Sequence, residues 1–355
     1  MVKGLVERLK AGETLVVAEG YLFEFERRGY LKAGAFVPEV VIEHPELVRQ
    51  VHEEYVHAGS DVVLAFTYYG HREKLRVIGR EDELEKMNKA ALKIAREVAD
   101  KTGTLMAGNL SNSCVYNPKD PETIEVTRNM FKEQIEWAVE GGADFIVAET
   151  YGMYAEAKLA LDCILEYGNG LPAVITMSAH VDDTTTVDGL PLPESIKKLE
   201  DAGAAVVGIN CARGPETIMP VLREIRKLCK GPIAALPVCY RTSKENPTMQ
   251  SLKDPDTGKM AFPYNLDAWF NSRTQIDKFG KDCLELGIQY AGLCCGNCAH
   301  YTRSLAEVVG KTPPSSRYSP DMSQHFVFGR GKDLKYRHEY NNIKDRIGTD
   351  AEYAD

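Results

Sequence analysis

The chain has 355 residues, 44% of them hydrophobic and 27% charged, enough to bury one large core or two modest ones and unlike a disordered or fibrous protein. A formal net charge of -9, with lysines and arginines dispersed among more numerous acids, argues against a nucleic-acid or anionic-membrane partner. No apolar run approaches the roughly 20 residues that span a bilayer, the first ten residues are charged and amphipathic, and nine irregularly spaced cysteines read as reduced thiols, so a cytoplasmic protein is expected.

In chain order, residues 14–18 form a buried-strand candidate that ends in Glu19-Gly20, and residues 22–29 then mix charges with aromatics. A helix is predicted over 45–58, with Pro45 in its first turn and Leu47, Val48, Val51 and Tyr55 at three- and four-residue spacing. A second strand over 61–66 ends in Thr67-Tyr68-Tyr69. A long charged helix over 73–101 and a third strand over 104–108, closed by Asn109, come next. The pattern then repeats: helix 124–139, stopped by Gly141-Gly142, and strand 144–148, ending in Glu149-Thr150-Tyr151. Helix 154–167, strand 173–177, helix 193–202 and strand 205–210, ending at Cys211, continue it. Helix 215–229, strand 232–236, helix 266–286 and strand 288–293 complete it, and the last leads into Cys294-Cys295-Gly296.

Eight strand candidates alternating with helices suit a (β/α)8 TIM barrel better than an open doubly wound sheet, because no Gly-x-Gly-x-x-Gly fingerprint follows the first strand. In such barrels the chemistry sits at the carboxyl ends of the strands. Glu19, Tyr69, Asn109, Glu149, Cys211, Cys294 and Cys295 all fall there. The barrel is expected over 1–312. Residues 241–262 are a polar excursion that reads as a flap over the mouth, and 313–355 read as an arm for homo-oligomerisation.

Adjacent cysteines at the end of an apolar run are hard to explain by packing, since neighbouring strand residues face opposite sides unless the strand breaks there. With Cys211 in the same setting, three soft thiolates meet at strand ends, as in a Zn2+ site with three cysteine ligands and one open position. Cys114, Cys163, Cys229, Cys239 and Cys283 read as small buried hydrophobes. His44, His52 and His57 read as solvated or capping residues, and His300 as a weaker fourth-ligand candidate. Cys295-Gly-Asn-Cys298 also has the spacing of a redox pair, so a metal-free thiol oxidoreductase is one alternative; a non-catalytic protein with a structural zinc is another.

Lys32-Ala-Gly, Glu43-His-Pro-Glu, Val48-Arg-Gln-Val-His52, Phe66-Thr-Tyr-Tyr69, Ala148-Glu149, Val207-Gly-Ile-Asn-Cys211 and Cys294-Cys-Gly296 occur in one order. In them the chain resembles the homocysteine S-methyltransferase family, in its betaine-homocysteine branch, and residues 322–348 resemble that branch's dimerisation arm. The resemblance implies a zinc-bearing (β/α)8 barrel forming a homodimer or homotetramer. It implies Cys211, Cys294 and Cys295 as metal ligands, Glu149 as holder of the homocysteine amino group, and Tyr69 as a phenol close to the metal. The departures concern the donor. Glu19-Gly20-Tyr21 replaces Asp-Gly-Gly, Phe36 stands for a tryptophan, Thr150 for a tyrosine, and Leu293 for a second glycine.

Methyl transfer needs a thiolate, and a free thiol with a pKa near 8.5 is mostly protonated at neutral pH. Zinc coordination removes that proton, and three cysteinates leave the substrate sulfur nucleophilic. The donor carries its methyl on an onium centre, which aromatic faces hold; Phe36, Tyr68, Tyr69 and Tyr151 are expected to supply them. Glu19, Gly20, Glu149 and Thr150 complete the expected substrate contacts. The expected reaction is transfer from glycine betaine or a related quaternary ammonium to homocysteine, with a sulfonium donor such as S-methylmethionine or dimethylsulfoniopropionate as the alternative.

Overall fold

A computed structural model describes residues 3–180 and 185–325. Eight short apolar segments form the strands: β1 (Leu15–Ala18), β2 (Val62–Leu64), β3 (Leu105–Leu110), β4 (Phe145–Tyr151), β5 (Ala173–Met177), β6 (Val206–Asn210), β7 (Ile233–Leu236) and β8 (Tyr290–Leu293). All pair in parallel in sequence order, and β1 closes on β8 with Leu15 opposite Tyr290, giving the expected (β/α)8 barrel.

Strands buried on both faces need apolar residues at every position, and the two faces fill two different cores. Leu15, Val17, Val62, Leu64, Leu105, Phe145, Val147, Val174 and Tyr290 belong to the packing inside the barrel. Phe145 and Tyr290 meet there edge to face at 6.4 Å. Val16, Val63, Met106, Ile146, Ile175, Val207, Ile233 and Ala291 belong to the packing of sheet against helices. Extending the inward parity past the strand ends predicts what lines the mouth. From Leu15 and Val17 it reaches Glu19; from Leu105 and Ala107, Asn109; from Phe145 and Val147, Glu149; and from Tyr290 and Gly292, Cys294.

Helix boundaries follow capping chemistry. Pro45, Pro121 and Pro215 open helices Pro45–His57, Pro121–Glu140 and Pro215–Leu228. Asp120 accepts the Glu122 N–H. The helix expected over 73–101 is two, Arg72–Arg76 and Leu84–Thr102, divided where Gly79 takes φ 68°. The helix expected from residue 266 begins at Arg273, because Ser272 and Gln275 make a capping box. The segment 22–29 is largely helical, over Tyr21–Arg27.

One histidine contradicts its solvated reading. His52 is 1% exposed, packs edge-on against Tyr21 at 5.2 Å, and neither ring nitrogen has a partner. Its residue spacing points it into the core with Val48 and Tyr55, which a polar residue type does not announce. Burial holds its pKa down to about 3, with the charge of Arg49 adding a little. The unfolded chain therefore binds a proton that the folded state refuses. Stability is fully present above the ordinary value of 6.5 and is lost as pH falls toward 3, at up to about 1.4 kcal/mol per pH unit. His52→Leu is expected to flatten the fall in stability between pH 6.5 and 4.5 by about one proton's worth; urea unfolding at several pH values measures it, and an unchanged slope contradicts it.

The compact unit that contains the barrel ends at Pro314, and the chain divides there. Most of the expected arm over 313–355, including Phe326-Val327-Phe328, lies outside the described residues. Among the described residues no helix is long and apolar enough to cross a membrane.

Candidate active site

A cavity of about 470 Å³ opens at the carboxyl ends of the strands. Its deepest wall is the cysteine cluster. Cys294 continues the inward parity of β8, and Gly296, at φ 84°, turns the chain so that Cys295 faces the same point. Cys211 follows inward-facing Asn210 and by parity would point away. It takes a left-handed φ of 59°, and Ala212 one of 53°, which swings its sulfur inward. The Cys211 and Cys295 Sγ atoms lie 3.7 Å apart, and those of Cys294 and Cys295 3.9 Å apart. Tetrahedral zinc at about 2.3 Å from each sulfur requires separations of about 3.8 Å, so the three thiols fit that ion. As free thiols they share protons: hydrogen bonds from Cys294 and Cys295 hold the Cys211 thiol well below its usual value, and those two are pushed up in turn.

Beside the sulfurs lies a pair of carboxylates. Glu19 and Glu149, 3% and 4% exposed, bring an oxygen each within 4.8 Å of the Cys294 sulfur and of one another. Glu149 accepts from Asn109 Nδ2 at 2.7 Å and from Asn210 Nδ2 at 2.8 Å. Asn210 is itself fixed through its Oδ1, which accepts from the Thr176 hydroxyl and the Thr150 N–H. Burial raises Glu149 to about 7, opposed by its hydrogen bonds with Glu19, Asn109 and Thr150. Burial and then the Glu149 charge push Glu19 well above the carboxylate range, and its Oε2 has no partner. Two buried carboxylates with one proton's worth of repulsion between them form a cradle for a cation.

The remaining wall is aromatic. Tyr68 and Tyr69 pack at 4.5 Å, and Phe36 stacks on Phe23 at 5.6 Å. Phe262, Met249 and Gln250 reach the cavity from the 241–262 excursion. Of the seven non-glycine residues at positive φ among the described residues, five (Phe36, Tyr69, Cys114, Thr150 and Cys211) line this cavity, so backbone strain is concentrated where the side chains must converge.

Ten of the eleven residues expected at the site line the cavity: Glu19, Gly20, Phe36, Tyr68, Tyr69, Glu149, Thr150, Cys211, Cys294 and Cys295. Tyr151 does not. The register of β4 against β5 slips between Ala148 and Tyr151, and Thr150 takes φ 67°, so the alternation reverses. Tyr151 is turned into the helix layer against Phe131, with its hydroxyl donating to the Ser111 carbonyl at 3.2 Å. Two further expectations change. Cys114 is an exposed residue of the cavity wall, not a buried hydrophobe, because its loop leaves the barrel beyond β3. Cys298 places its sulfur 3.3 Å from His300 Nδ1 and not against Cys295, whose sulfur faces Cys211; the redox pair and the fourth-ligand histidine are thus both directed away from the cluster. Phe23, Glu156, His180, Gln250 and Phe262 carry no motif in the sequence; inward parity could have found Ser178, two residues beyond Thr176, and Asn210, which donates to Glu149.

Gly20 meets a packing requirement at the cavity wall. At φ 89°, a Cβ there would sit 2.3 Å from the Cys294 carbonyl oxygen. Gly20→Ala is therefore expected to displace the Cys294 loop and weaken metal retention by roughly 10–100-fold, measured by chelator competition; wild-type retention would show that the loop yields.

Fold and site together define a barrel enzyme whose mouth joins a cluster of three thiols, spaced to suit a soft metal, to a carboxylate pair. A family-wide profile described as homocysteine S-methyltransferase matches residues 20–309. The chain is 32% identical over 347 residues to betaine–homocysteine S-methyltransferase 1 of Mus musculus, covering 94% of this chain and 80% of that one. It is 31% identical over 338 residues to a Mus musculus S-methylmethionine–homocysteine S-methyltransferase, covering 94% and 88%. The metallated form of the homocysteine methyltransferase MmuM from Escherichia coli shares the fold, with a TM-score of 0.66, 18% identity, and 84% and 97% of the two chains covered. The chain belongs to the homocysteine S-methyltransferase family and is a methyltransferase.

Proposed function

We propose that this enzyme moves a methyl group from an onium donor to the sulfur of homocysteine, forming methionine, with zinc held by Cys211, Cys294 and Cys295. The observation that carries the reading is the junction of three sulfurs at tetrahedral-zinc spacing with the Glu19–Glu149 pair inside one aromatic-walled cavity. The relatives' names supply the acceptor, and the geometry accommodates it. An α-amino acid with a side-chain thiol places its ammonium on the carboxylate pair while its sulfur reaches the open side of the cysteine cluster.

Bound zinc would strip the thiol proton and keep the sulfur electron-rich. The chain's own residues do the positioning. Glu149, immobilised by Asn109 and Asn210, takes the ammonium, and Glu19 supplies the second oxygen. Tyr68, Tyr69, Phe36 and Phe23 hold the onium methyls by ring faces, since such a cation accepts no hydrogen bond. Phe262 and Met249 keep water from the reacting atoms. Leaving as a neutral amine or sulfide, the donor loses the charge that the rings attract, which speeds its release.

Metal analysis under reducing conditions, combined with mass spectrometry of methionine formed from deuteromethyl donors, tests the reading. One zinc per chain and label in methionine are expected; label without metal, or metal without label, overturns it. The cytoplasmic location and the homodimer or homotetramer built through 313–355 are part of the same proposal, checked by light scattering of the full chain against one ending at residue 312.

A further inference from the structure

Taking methyl transfer to homocysteine as the reaction, we propose that the donor is a monocationic onium compound without a carboxylate, such as a trimethylammonium or dimethylsulfonium alcohol, and not a zwitterion such as glycine betaine. The cavity wall carries three acids, Glu19, Glu149 and Glu156, all at most 6% exposed, and among the described residues no lysine or arginine. Glu156 accepts from the Ser113 N–H and hydroxyl, both at 2.7 Å. Those are neutral donors, and they leave its negative charge without a counter-charge.

The polar atoms left over in this wall point the same way. Glu19 Oε2, Asn109 Oδ1 and Gln250 Oε1 are buried and unpartnered; the two amide oxygens can only accept, and the Glu19 oxygen accepts whenever that carboxyl is ionised. The orientation of the Asn109 amide is assigned by its Nδ2 bond to Glu149, so its oxygen is the free end. Ser178 Oγ is the fourth unpartnered atom and can act either way. Orphaned acceptors call for a ligand that brings hydroxyl or N–H donors and positive charge.

A zwitterionic donor would bring a carboxylate instead. The acceptor already introduces one, and its single ammonium is taken by the Glu19–Glu149 pair. One lysine and one histidine lie near enough to compete for a second carboxylate. Lys74 holds its Nζ 4.3 Å from the Tyr69 ring centroid, and His180 lies exposed at the rim beside Gly152. Arg213 spends its Nε and one Nη on the carbonyls of Ala179 and His180. Against three buried acids, an added anion is expected to cost about a hundredfold in kcat/KM.

The step balances without a further reactant. The thiolate lone pair forms the new S–CH₃ bond, and the donor's C–N or C–S bond breaks with its pair left on the leaving nitrogen or sulfur. An anion and a cation thus become two neutral products, with no proton moved and no external oxidant or reductant consumed.

Paired donors on the zinc-loaded enzyme test it: choline against glycine betaine, and (2-hydroxyethyl)dimethylsulfonium against dimethylsulfonioacetate, with homocysteine affinity measured separately by calorimetry. The hydroxyl member of each pair is expected to win by about a hundredfold in kcat/KM. Gln250→Lys is expected to narrow both gaps by about tenfold. Preference for the carboxylate member overturns the proposal while leaving the reaction assignment standing, and loss of that preference in Lys74→Gln or His180→Gln would show which cation was overlooked. Absence of homocysteine binding, or of methionine from all four donors, instead removes the reaction assignment and the proposal together.

Discussion

Serine in place of Cys211, Cys294 or Cys295 is expected to abolish stoichiometric zinc binding and to lower kcat/KM by roughly a thousandfold or more. An alcohol does not ionise at neutral pH and is a hard oxygen ligand, so each change removes both a charge and a soft donor from a site that offers only three. The loss is expected to be local. All three residues sit past the ends of β6 and β8, and the strands behind them keep their own packing through Ile209, Ala291 and Leu293. Melting temperatures of the metal-free variants should therefore stay within a few degrees of metal-free wild type. Zinc content, melting temperature and turnover, measured on one preparation, separate a ligand role from a folding role. A serine variant with one zinc and wild-type turnover would remove that residue from the metal site.

Glu19→Gln is expected to make the ligand-free protein more stable while raising the KM for homocysteine by about 10–100-fold. The two effects share one cause. Burial and the neighbouring Glu149 raise the Glu19 carboxyl well above its ordinary 4.5, so the folded state holds a proton that the unfolded chain releases. Wild-type stability consequently falls as pH rises above 4.5, until the folded carboxyl ionises as well. A glutamine has no such penalty, and its amide can donate to Glu149 across the gap that the pair now shares. The stability gain should be present at neutral pH and vanish below 4.5, where wild-type Glu19 is protonated in both states. The same substitution deprives the substrate ammonium of half its counter-charge. Thermal unfolding across pH and acceptor KM in the two proteins check both halves, and a variant that is less stable and binds homocysteine normally would refute the cation-cradle reading.

The barrel was legible because its signal is repeated eight times and each repeat has punctuation. The 154–167 helix and the 173–177 strand coincide with Tyr154–Tyr167 and Ala173–Met177. Elsewhere, boundaries moved by one to three residues, and the larger errors arose where composition masks a break, as at Gly79, or where a long amphipathic pattern hides a late cap, as at Ser272. The cysteines were legible because soft thiols at strand ends are rare outside metal or redox chemistry. Glu149 was legible for its position after an apolar run, which places it in the inward layer by parity alone.

The aromatic side of the cavity was less legible. Phe23, Phe262 and Gln250 come from a mixed-charge segment and a polar excursion, and nothing in their local sequence says that these segments converge. Tyr151 was misplaced for a related reason: parity is reliable only while register holds, and the slip after Ala148 is a property of the β4–β5 pairing. His52 shows the same limit in the core, where helix geometry outweighs the polarity of the side chain.

The residues alone determined the alternation of strands and helices, the inward layer of acids and amides, and the identity of the three sulfurs, since each follows from a local period or from the chemistry of a single side chain. Only the tertiary structure decided which sulfurs are close enough for one ion, that Cys298 turns to His300, and that the cavity wall holds acids without a lysine or arginine among its described residues. Those facts depend on left-handed backbone at Cys211 and Thr150 and on contacts between residues far apart in sequence, which no local pattern encodes.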